Sequence, residues 1–212
     1  MDSIVFDLDG TLWDTCPACA IAWNNVLSRN RISFRPITAE DIRAVTGKPH
    51  EECIRRVFEG LSEDQIQLLI IQTQAEDNLV ISQQGGILYS GVESGLRQMS
   101  EHYPLFIVSN CQAGYIETFL KWTGFTPLFR DFECWGNTGR PKPENLKDLI
   151  KRNGLKSPIF VGDAEGDEKA AAACEIPFVF ANYGFGKSTT NDAVVSSFEE
   201  LTNLILGGGI KV

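Results

Sequence analysis

The amino-acid sequence predicts an α/β fold, namely a doubly wound parallel sheet that carries a small, inserted all-α domain. Three observations support this prediction. Continuous apolar runs of strand length alternate with amphipathic helical segments, which is typical of a parallel sheet covered on both faces. One stretch, residues 15–84, contains helical patterns alone. The composition of the 212 residues, 43% hydrophobic and 22% charged, is sufficient for a packed core.

Four short apolar runs have the composition of buried strands, being rich in β-branched and aromatic residues. They are Ser3–Leu8, Leu105–Ser109, Pro158–Val161 and Pro177–Ala181. Amphipathic helical patterns flank the later runs, at Gly91–His102, Tyr115–Thr123, Pro143–Asn153, Asp167–Cys174 and Phe198–Leu206. This alternation assigns residues 1–14 and 85–212 to one α/β core. The final GGGIKV is expected to be a frayed tail.

Residues 15–84 interrupt the alternation, because every pattern in them is helical. The segments are Pro17–Arg29, Thr38–Val45, Pro49–Phe58 and Ser62–Ser82. The last is the best marked, since Ser62 stands at an N-cap position before two acidic residues, and Ile66 and Leu69 share a face. We expect a separate helical cap domain on two linkers. The paired glycines of the return linker, residues 84–90, permit hinge-like backbone angles.

The formal net charge of −9 argues against nucleic acid or an anionic membrane surface as the main partner. No stretch approaches the roughly 20 continuous apolar residues that a bilayer span needs. The first apolar run is interrupted by Asp7 and Asp9, which is not the pattern of a signal peptide. We therefore expect a cytoplasmic protein, either a monomer or a homodimer.

The six cysteines are expected to be reduced thiols in that compartment. Cys16 and Cys19 form a CPAC segment, which is compatible with a redox or zinc motif as well as with two small residues on a helix. The two histidines, His50 and His102, belong to no second pair of ligands. The structural interpretation of this segment is therefore favoured.

Four acidic residues stand at or just beyond the ends of predicted strands. Asp7 and Asp9 end the first strand, and Asp163 and Asp167 follow the third. Ligand sites of open parallel sheets lie outside the carboxyl ends of the strands, so these carboxylates are expected to share one crevice. Mg²⁺ suits carboxylate and carbonyl oxygens and would offset their mutual repulsion. Each acid alone is more typical of a helix cap or a turn, and it is their order along the chain that favours a site.

The same residues predict phosphoryl transfer. Asp7 can attack phosphorus and form an aspartyl-phosphate. Asp9, on the same side of an extended chain, can protonate the leaving alcohol and then activate water. A cation must offset charge on the transferring group, and either Arg140 or Lys142 can supply it. Candidate donors to the phosphoryl oxygens are Thr11, Ser109 and Asn110.

These motifs resemble those of the haloacid dehalogenase superfamily of phosphohydrolases. The four motifs of that family appear here as IVFDLDGTLWD, FIVSN, a lysine at a helix start, and FVGDAEGD. The first and fourth are highly specific, whereas the second and third are not. The resemblance covers nearly the whole chain and implies a Rossmann-like core. The helical insertion is similar to the cap of the phosphoglycolate phosphatase-like and β-phosphoglucomutase-like branch.

The resemblance implies a role for each acid. Asp7 would be the nucleophile, and Asp9 would be the general acid and base. Mg²⁺ would contact the Asp7 carboxylate, the Asp9 backbone carbonyl and Asp163. Asp167 would orient the waters of the metal from outside its coordination sphere.

The third motif departs from the family pattern. The family often has Lys-Pro-x-Pro, and RPKP puts Arg140 at the lysine position in one alignment. We prefer Lys142, because an ammonium is a compact point charge and a guanidinium is a broad planar fork. By the resemblance, Lys142 would bridge Asp7 and the phosphate, and Ser109 would bind the phosphate. Cys111 follows the Ser-Asn pair, so its thiol is expected near the site without a catalytic role.

Substrate choice is expected to come from the cap, which would close over the site and exclude water. The loop Val45–His50 is the best candidate for contact with the substrate. Gly47 permits close backbone approach, and Lys48 and His50 could contact a polar or anionic leaving group. A solvent-exposed connection between two helices is equally compatible with this loop.

The predicted function is therefore that of a Mg²⁺-dependent phosphatase acting on a small phosphorylated metabolite. A phosphosugar mutase would share every core residue, and this alternative stays open. A dehalogenase would leave Asp9 unexplained, and a phosphonate hydrolase would depend on Lys48, the only lysine of residues 15–84. A non-catalytic module that binds a protein or phospho-ligand is disfavoured, because all the expected catalytic positions are filled.

Overall fold

Residues 1–209 are described by a computed structural model in which strands and helices alternate on either side of one long helical insertion. No helix within this range is long and apolar enough to cross a bilayer. A 3₁₀ turn at Thr126–Leu128 directly precedes the strand that begins at Phe129. In chain order the elements are β1 (Ser3–Phe6), β2 (Trp13–Asp14), α1 (Cys16–Arg29), α2 (Ala39–Arg43), α3 (His50–Val57), α4 (Glu63–Gln84), β3 (Ile87–Leu88), α5 (Val92–Ser100), β4 (Leu105–Ser109), α6 (Tyr115–Thr123), β5 (Phe129–Cys134), α7 (Trp135–Thr138), α8 (Lys142–Asn153), β6 (Pro158–Gly162), α9 (Glu165–Ala173), β7 (Phe178–Ala181), β8 (Ala193–Val195) and α10 (Phe198–Leu206).

Six parallel strands form the main sheet in the order β5-β4-β1-β6-β7-β8. The central strand β1 pairs with β4 on one side and with β6 on the other. The strands β4 and β5 lie on one side of β1, and the later strands β6, β7 and β8 lie on the other side. The direction in which successive strands are added therefore changes at β1. Such a switch point leaves a crevice at the carboxyl ends of the central strands, which is where ligands bind in this class of fold.

The pleat of the central strands sorts their side chains between two apolar layers. One layer contains Val5 and Phe160, packed against α8 and α9. The other contains Ile4 and Ile107, packed against α5, α6 and α10. All four of these residues are fully buried. The sheet is therefore covered by helices on both faces, as the continuous apolar runs predict.

The predicted α/β class is confirmed, and each predicted helix is present with ends that differ by at most two residues. Sequence patterns missed the strands β2, β3, β5 and β8 and the helix α7. The strand β5 lies at a sheet edge and carries Arg130, Asp131 and Glu133, so it lacks an apolar run. The other missed strands are only two or three residues long. Of the expected C-terminal tail, Gly207 and Gly208 form a turn, and residues 210–212 lie outside the described residues.

The helices α1–α4, here called the cap helices, pack against one another through buried apolar side chains that belong to the same cluster as one face of the sheet. Trp23 of α1 packs against Phe58, which directly follows α3, with ring centroids 5.6 Å apart. The helix α4 begins with reciprocal hydrogen bonds between Ser62 and Gln65, a cap that typically contributes about 1 kcal/mol. The division into a core of residues 1–14 and 85–212 and a cap of residues 15–84 stays a prediction.

The two segments that join the cap helices to the sheet pair with each other. The strands β2 and β3 are antiparallel, with Trp13 opposite Leu88 and Asp14 opposite Ile87. Gly86 permits this approach, because a Cβ at this position would lie 2.6 Å from the Trp13 ring. The chain therefore leaves and returns through one narrow ribbon next to β1.

Candidate active site

The carboxyl ends of three adjacent strands bring the predicted site residues together. Asp7 follows β1, Ser109 ends β4, and Asp163 follows β6. The backbone amide of Asp7 donates to the Val161 carbonyl at 2.8 Å, so the ladder between β1 and β6 extends to this carboxylate. Lys142 reaches the same edge from the first turn of α8.

Lys142 is a buried cation held by two buried carboxylates. Its Nζ donates to Asp7 Oδ1 at 2.8 Å and to Asp167 Oδ1 at 2.6 Å. Burial acts to lower the pKa of Lys142, but the charges of Asp167 and Asp7 outweigh it and leave the pKa above its ordinary value. Burial and then the Asp167 charge raise the pKa of Asp7 well above its usual range, against the opposing charge of Lys142. A lysine in the first turn of a helix opposes the helix dipole, so this placement depends on the two carboxylates.

The Asp163 side chain is closely surrounded by backbone groups. Its Oδ2 accepts hydrogen bonds from the backbone amides of Phe185 at 2.8 Å and Gly186 at 3.3 Å. A Cβ on either Gly10 or Gly184 would lie 2.3 Å from the Asp163 side chain. Gly10 also has a φ of +85°, so both space and backbone conformation require glycine there. Burial and then the charge of Asp167 raise the pKa of Asp163 to about 7.

The carboxylates of this cluster fit a metal centre. One oxygen each of Asp7, Asp163 and Asp167 lie within 4.8 Å of one another. Both oxygens of Asp167 are already engaged, Oδ1 by Lys142 and Oδ2 by the backbone amides of Asp163 at 3.2 Å and Ala164 at 3.0 Å. Asp7 is bonded to Lys142 through Oδ1, and among the described residues Asp163 Oδ1 has only the Thr11 hydroxyl at 3.4 Å, so Asp7 and Asp163 are the better direct ligands. One ammonium among three carboxylates leaves an excess of negative charge that a divalent cation would offset.

Asp9 is held by two hydroxyl groups. Its Oδ1 accepts hydrogen bonds from the Tyr115 hydroxyl at 2.7 Å and from Thr15 Oγ1 at 3.0 Å. These two hydroxyl oxygens lie 2.6 Å apart. Burial raises the pKa of Asp9 to about 6, although both hydroxyl donors act to lower it. Because both donors bind the same oxygen, Oδ2 is left to exchange a proton with a ligand.

Ser109 and Asn110 line the crevice beside these carboxylates. The Ser109 hydroxyl accepts from the Cys111 amide at 3.2 Å, so its own proton is free to be donated. Asn110 Nδ2 donates to the Gly47 carbonyl at 2.9 Å, which joins the sheet to the loop after α2. Asn110 Oδ1 is buried and has no hydrogen-bond partner within residues 1–209. Cys111 also lines the crevice, and burial raises the pKa of its thiol well above the usual range.

The crevice lies between the sheet and the cap helices and has a cavity volume of about 70 Å³. This volume holds only a few water-sized groups, which favours a small ligand. We name its two sides by their principal polar residues. The core wall comprises Asp7, Asp9, Ser109, Asn110, Gln112 and Lys142. The cap wall comprises Trp23, Thr46, Gly47, Lys48, His50 and Asp77.

Two predicted phosphate-binding residues lie outside the lining of the crevice. Thr11 is fully buried, with its hydroxyl 3.4 Å from Asp163 Oδ1. Arg140 pairs with Asp148 at 2.7 Å, and 43% of its side chain is exposed. Of the two candidate cations of the third motif, Lys142 is therefore the one beside the strand-end carboxylates.

The cap wall also contains an acidic residue that the sequence patterns did not single out. Asp77 of α4 is 2% exposed and accepts from the Trp23 indole N–H at 3.1 and 3.2 Å. His50 places Nε2 2.9 Å from Thr73 Oγ1 and Nδ1 3.8 Å from Asp77 Oδ2. The sequence did contain an indication that Asp77 is buried. Thr73 and Asp77 are four residues apart, on the face of α4 that carries the apolar Leu69.

Thr15 and Tyr115 are further site residues that sequence reasoning missed. Tyr115 begins α6, and nothing near it in the sequence indicates an acidic partner. Its hydrogen bond to Asp9 spans 106 residues of chain. Such a contact follows only from the tertiary packing of Tyr115 against Trp13, with ring centroids 5.8 Å apart, and could not be deduced from spacing.

Comparison with known proteins identifies related sequences and folds. The sequence profile of the haloacid dehalogenase-like hydrolases matches residues 4–181. The chain is similar to a phosphoglycolate phosphatase from Rhodobacter capsulatus, with 27% identity over 194 residues, covering 88% of this chain and 86% of that protein. It is also similar to a phosphoglycolate phosphatase from Colwellia psychrerythraea, with 29% identity over 197 residues, covering 86% and 84%.

A solved structure has the same fold as this chain. It is a haloacid dehalogenase-like family hydrolase from Streptococcus pneumoniae, with a TM-score of 0.84 and 21% identity. The match covers 97% of this chain and 98% of the other. The six-stranded parallel core and the helical insertion thus occur together in a protein of known structure.

Proposed function

The chain belongs to the haloacid dehalogenase-like hydrolase family, and we propose that it is a Mg²⁺-dependent phosphatase that cleaves a small phosphate monoester through a phosphorylated Asp7. The predicted family and the predicted hydrolase class are confirmed by the match to residues 4–181. The names of the two phosphoglycolate phosphatases support a phosphate ester as the substrate.

The contact between Lys142 and Asp7 carries the proposal. An ammonium 2.8 Å from Oδ1 of a buried carboxylate stabilises its charge and leaves Oδ2 to approach phosphorus. The same ammonium can offset charge that develops on the phosphoryl oxygens. The exposed Arg140, paired with Asp148, is not in a position to do this.

In the first step, the Asp7 carboxylate forms a bond to phosphorus while the bond from phosphorus to the alcohol oxygen breaks. Protonated Asp9 gives its proton to the departing alkoxide. Tyr115 and Thr15 bind Oδ1 of Asp9, so Oδ2 is the oxygen that carries this proton. The products are the free alcohol, the aspartyl-phosphate and the Asp9 carboxylate.

In the second step, water attacks the phosphorus of the aspartyl-phosphate, and the Asp9 carboxylate accepts a proton from that water. The bond between phosphorus and Asp7 breaks, and inorganic phosphate leaves. Both carboxyl groups then have their starting protonation. Ser109 and Asn110 on the core wall would donate hydrogen bonds to the phosphoryl oxygens in both steps.

Mg²⁺ is the cofactor that this proposal requires. The carboxylates of Asp7 and Asp163 and the backbone carbonyl of Asp9 would hold it, and Asp167 would orient its waters. The cluster offers oxygen ligands alone, which suits Mg²⁺. When bound, the ion would offset negative charge on the phosphoryl group.

The proposed cap, residues 15–84, would exclude bulk water from the reaction. Hydrogen bonds join it to the core around the crevice: for example, Asn110 Nδ2 donates to the Gly47 carbonyl at 2.9 Å, and Asn78 Nδ2 donates to the Ala113 carbonyl at 3.1 Å. Together with the small volume of the crevice, they favour a small phosphorylated metabolite as the substrate.

Phosphate release from a panel of small phosphate esters, with and without Mg²⁺, tests the proposal. Asp7→Asn preserves the size of the side chain but removes the nucleophile, so we expect kcat to fall at least about a thousandfold. The exposed Asp64 of α4 provides the matched control, and Asp64→Asn should retain the parent activity. Parent-like turnover by Asp7→Asn would refute the mechanism. Isomerisation of a hexose 1-phosphate without phosphate release would indicate a mutase instead.

Metal binding has a second readout that does not depend on turnover. Mg²⁺ should raise the melting temperature of the parent, because a ligand at a hundredfold excess over its Kd stabilises the folded state by about 2.7 kcal/mol. Asp163→Asn should lose most of this shift, and Asp64→Asn should keep it. A full shift in Asp163→Asn would contradict the proposed ligand set.

A further inference from the structure

Three cap helices contribute to one buried polar cluster that the proposed mechanism does not use. Asp77 in α4 accepts from the Trp23 indole N–H of α1 at 3.1 and 3.2 Å. His50, at the start of α3, places Nδ1 3.8 Å from Asp77 Oδ2. Asp77 is 2% exposed, and both Asp77 and His50 line the crevice. The cluster therefore faces the substrate side of the cap.

Hydrogen bonds on the far side of the imidazole determine its tautomer. Thr73 Oγ1 donates to the Leu69 carbonyl at 2.6 Å, so it is an acceptor toward His50 Nε2, which lies 2.9 Å away. Nε2 therefore carries a proton, and Nδ1 of the neutral ring is an acceptor that faces Asp77. Burial lowers the pKa of His50 to about 4, which keeps the ring neutral near pH 7.

The facing atoms of His50 and Asp77 are not hydrogen-bonded to each other, so both can bind a ligand group in the crevice that they line. Their separation of 3.8 Å is too long for a direct hydrogen bond. The Asp77 carboxyl accepts a hydrogen bond from the Trp23 N–H. A carboxyl group can form more hydrogen bonds than this one, so Asp77 can also bind a ligand. Burial also raises the pKa of Asp77 well above its usual range, so this carboxyl can both donate and accept. A hydroxyl group, which also donates and accepts, matches this pair.

Gln112 on the core wall is an independent indication of a missing ligand group. Its side chain lines the same crevice and is 6% exposed. Its Nε2 has no hydrogen-bond partner among the residues that the structure describes. Buried amide groups are normally paired, so this N–H group requires an acceptor such as a hydroxyl oxygen.

The charge of the crevice disfavours a carboxylate at this position. Within the described part of residues 15–84, Lys48 is the only lysine or arginine that lines the crevice, and it is partly exposed. A substrate carboxylate beside Asp77 and His50 would therefore be buried among neutral groups, without a cation from these two residues to pair with. Burying an unpaired charge is costly, whereas a neutral hydroxyl does not incur this cost.

We propose that Asp77, His50 and Gln112 bind the alcohol portion of the substrate, and that this portion carries free hydroxyl groups and no carboxylate. The substrate class is then a phosphate ester of a small polyol. This inference rests on the proposed phosphatase function. It differs from the carboxylate-bearing compound, phosphoglycolate, in the names of the two similar proteins.

Two matched pairs of substrates test the proposal, because each pair differs only in a hydroxymethyl or a carboxylate group. They are 2-hydroxyethyl phosphate with phosphoglycolate, and glycerol 3-phosphate with 3-phosphoglycerate. We expect kcat/KM to be at least about tenfold higher for the hydroxymethyl member of each pair, because a site that hydrogen-bonds a hydroxyl rejects analogues that lack it. A ratio of one or below in either pair would overturn the inference.

Hydrolysis of p-nitrophenyl phosphate separates this inference from the proposed function. If Asp7-dependent hydrolysis is absent, the phosphatase proposal fails together with the inference. If it is present while the carboxylate members are preferred, only the inference fails.

Asp77→Asn tests the subsite directly. The amide can still accept from Trp23, but it offers N–H groups to a carboxylate, so the hydroxymethyl-to-carboxylate ratio should fall at least about fivefold. Asp64→Asn, on the same helix, should leave the ratio unchanged. An unchanged ratio in a folded Asp77→Asn protein would overturn the role of Asp77. Should that variant fail to fold, Gln112→Leu tests the opposite wall and should lower kcat/KM for the hydroxymethyl esters at least about fivefold while sparing p-nitrophenyl phosphate. Unchanged kcat/KM for these esters in a folded Gln112→Leu protein would overturn the inference.

Discussion

Asp7 on the core wall and Asp77 on the cap wall are both buried carboxyls beside one crevice, but their partners differ. Asp7 has the Lys142 ammonium at 2.8 Å, and Asp167 accepts from the same cation at 2.6 Å. Asp77 has an indole N–H at 3.1 Å and a neutral imidazole at 3.8 Å. The core wall is therefore ionic, whereas this part of the cap wall is neutral and hydrogen-bonding.

The polar groups around the crevice also differ in how fully they are paired. The Lys142 ammonium is bonded to both Asp7 and Asp167, and both oxygens of Asp167 accept hydrogen bonds from protein groups. By contrast, the facing atoms of His50 and Asp77 are not bonded to each other, and Gln112 Nε2 has no partner among the described residues. A preorganised ionic cluster suits the chemical step, and incompletely paired groups suit recognition of a variable alcohol.

Lys142→Met is expected to have the largest effect, because it removes the cation that defines the core wall. We expect kcat for p-nitrophenyl phosphate to fall at least about a thousandfold. Two buried carboxylates lose their partner, so the free energy of unfolding should fall by about 3–5 kcal/mol. Activity should be measured on folded protein well below the melting temperature of the variant.

Arg140→Met is the matched control, since it removes the other candidate cation of the third motif. Arg140 is exposed and pairs with Asp148, so kcat should stay within about twofold of the parent. A large loss in Arg140→Met with little change in Lys142→Met would assign the phosphate-binding cation to Arg140.

The core wall could be predicted from sequence, because its residues stand at strand ends and parallel strands share an edge. Asp7 follows one apolar run and Ser109 ends another, and the pairing of these two strands brings the residues together. The cap wall could not be predicted in this way. Trp23 and Asp77 lie on two helices whose contact depends on tertiary packing, and no register relates their positions.

The same physical difference explains the other failures of sequence reasoning. Thr11 stands in a specific motif, but its side chain points toward Asp163 and away from the crevice lining. The strand β5 is at a sheet edge, where charged residues replace the apolar run that marks a buried strand. Motifs thus identify which residues are near the site, and packing decides which side each one faces.

Tyr115→Phe is expected to have an intermediate effect on kcat. It tests whether the hydrogen bond from the Tyr115 hydroxyl positions Asp9. The change removes one of two hydroxyl donors to Asp9, while Thr15 keeps the other. We expect kcat to fall about tenfold with little change in KM, because the general acid is less well positioned. Tyr183→Phe is the control, since its hydroxyl donates to the Thr11 carbonyl at 2.9 Å and does not reach Asp9. An equal loss of kcat in both variants would contradict a specific role for Tyr115.

The smallest expected effect is on the pH dependence of stability, and it tests whether His50 in the cap wall is uncharged. Burial lowers the pKa of His50 in the folded protein to about 4, whereas the ordinary value is about 6.5. Below pH 6.5 the unfolded chain binds a proton at this residue, while the folded protein does not until the pH is near 4. The contribution of His50 to stability is therefore present above pH 6.5 and lost as the pH falls toward 4. Asp77 acts in the opposite sense, because burial raises its pKa and acid favours its folded state.

His50→Gln isolates the histidine from these opposing contributions. Between pH 7 and pH 5, the parent should lose up to about 2 kcal/mol more of its free energy of unfolding than His50→Gln, measured by urea denaturation. His102 is exposed, so His102→Gln should keep the pH dependence of the parent. If the parent and His50→Gln lose stability in parallel, the imidazole is hydrated in the folded protein. The cap wall would then accept charge as readily as an exposed surface, and its neutrality could no longer explain a preference for hydroxyl groups.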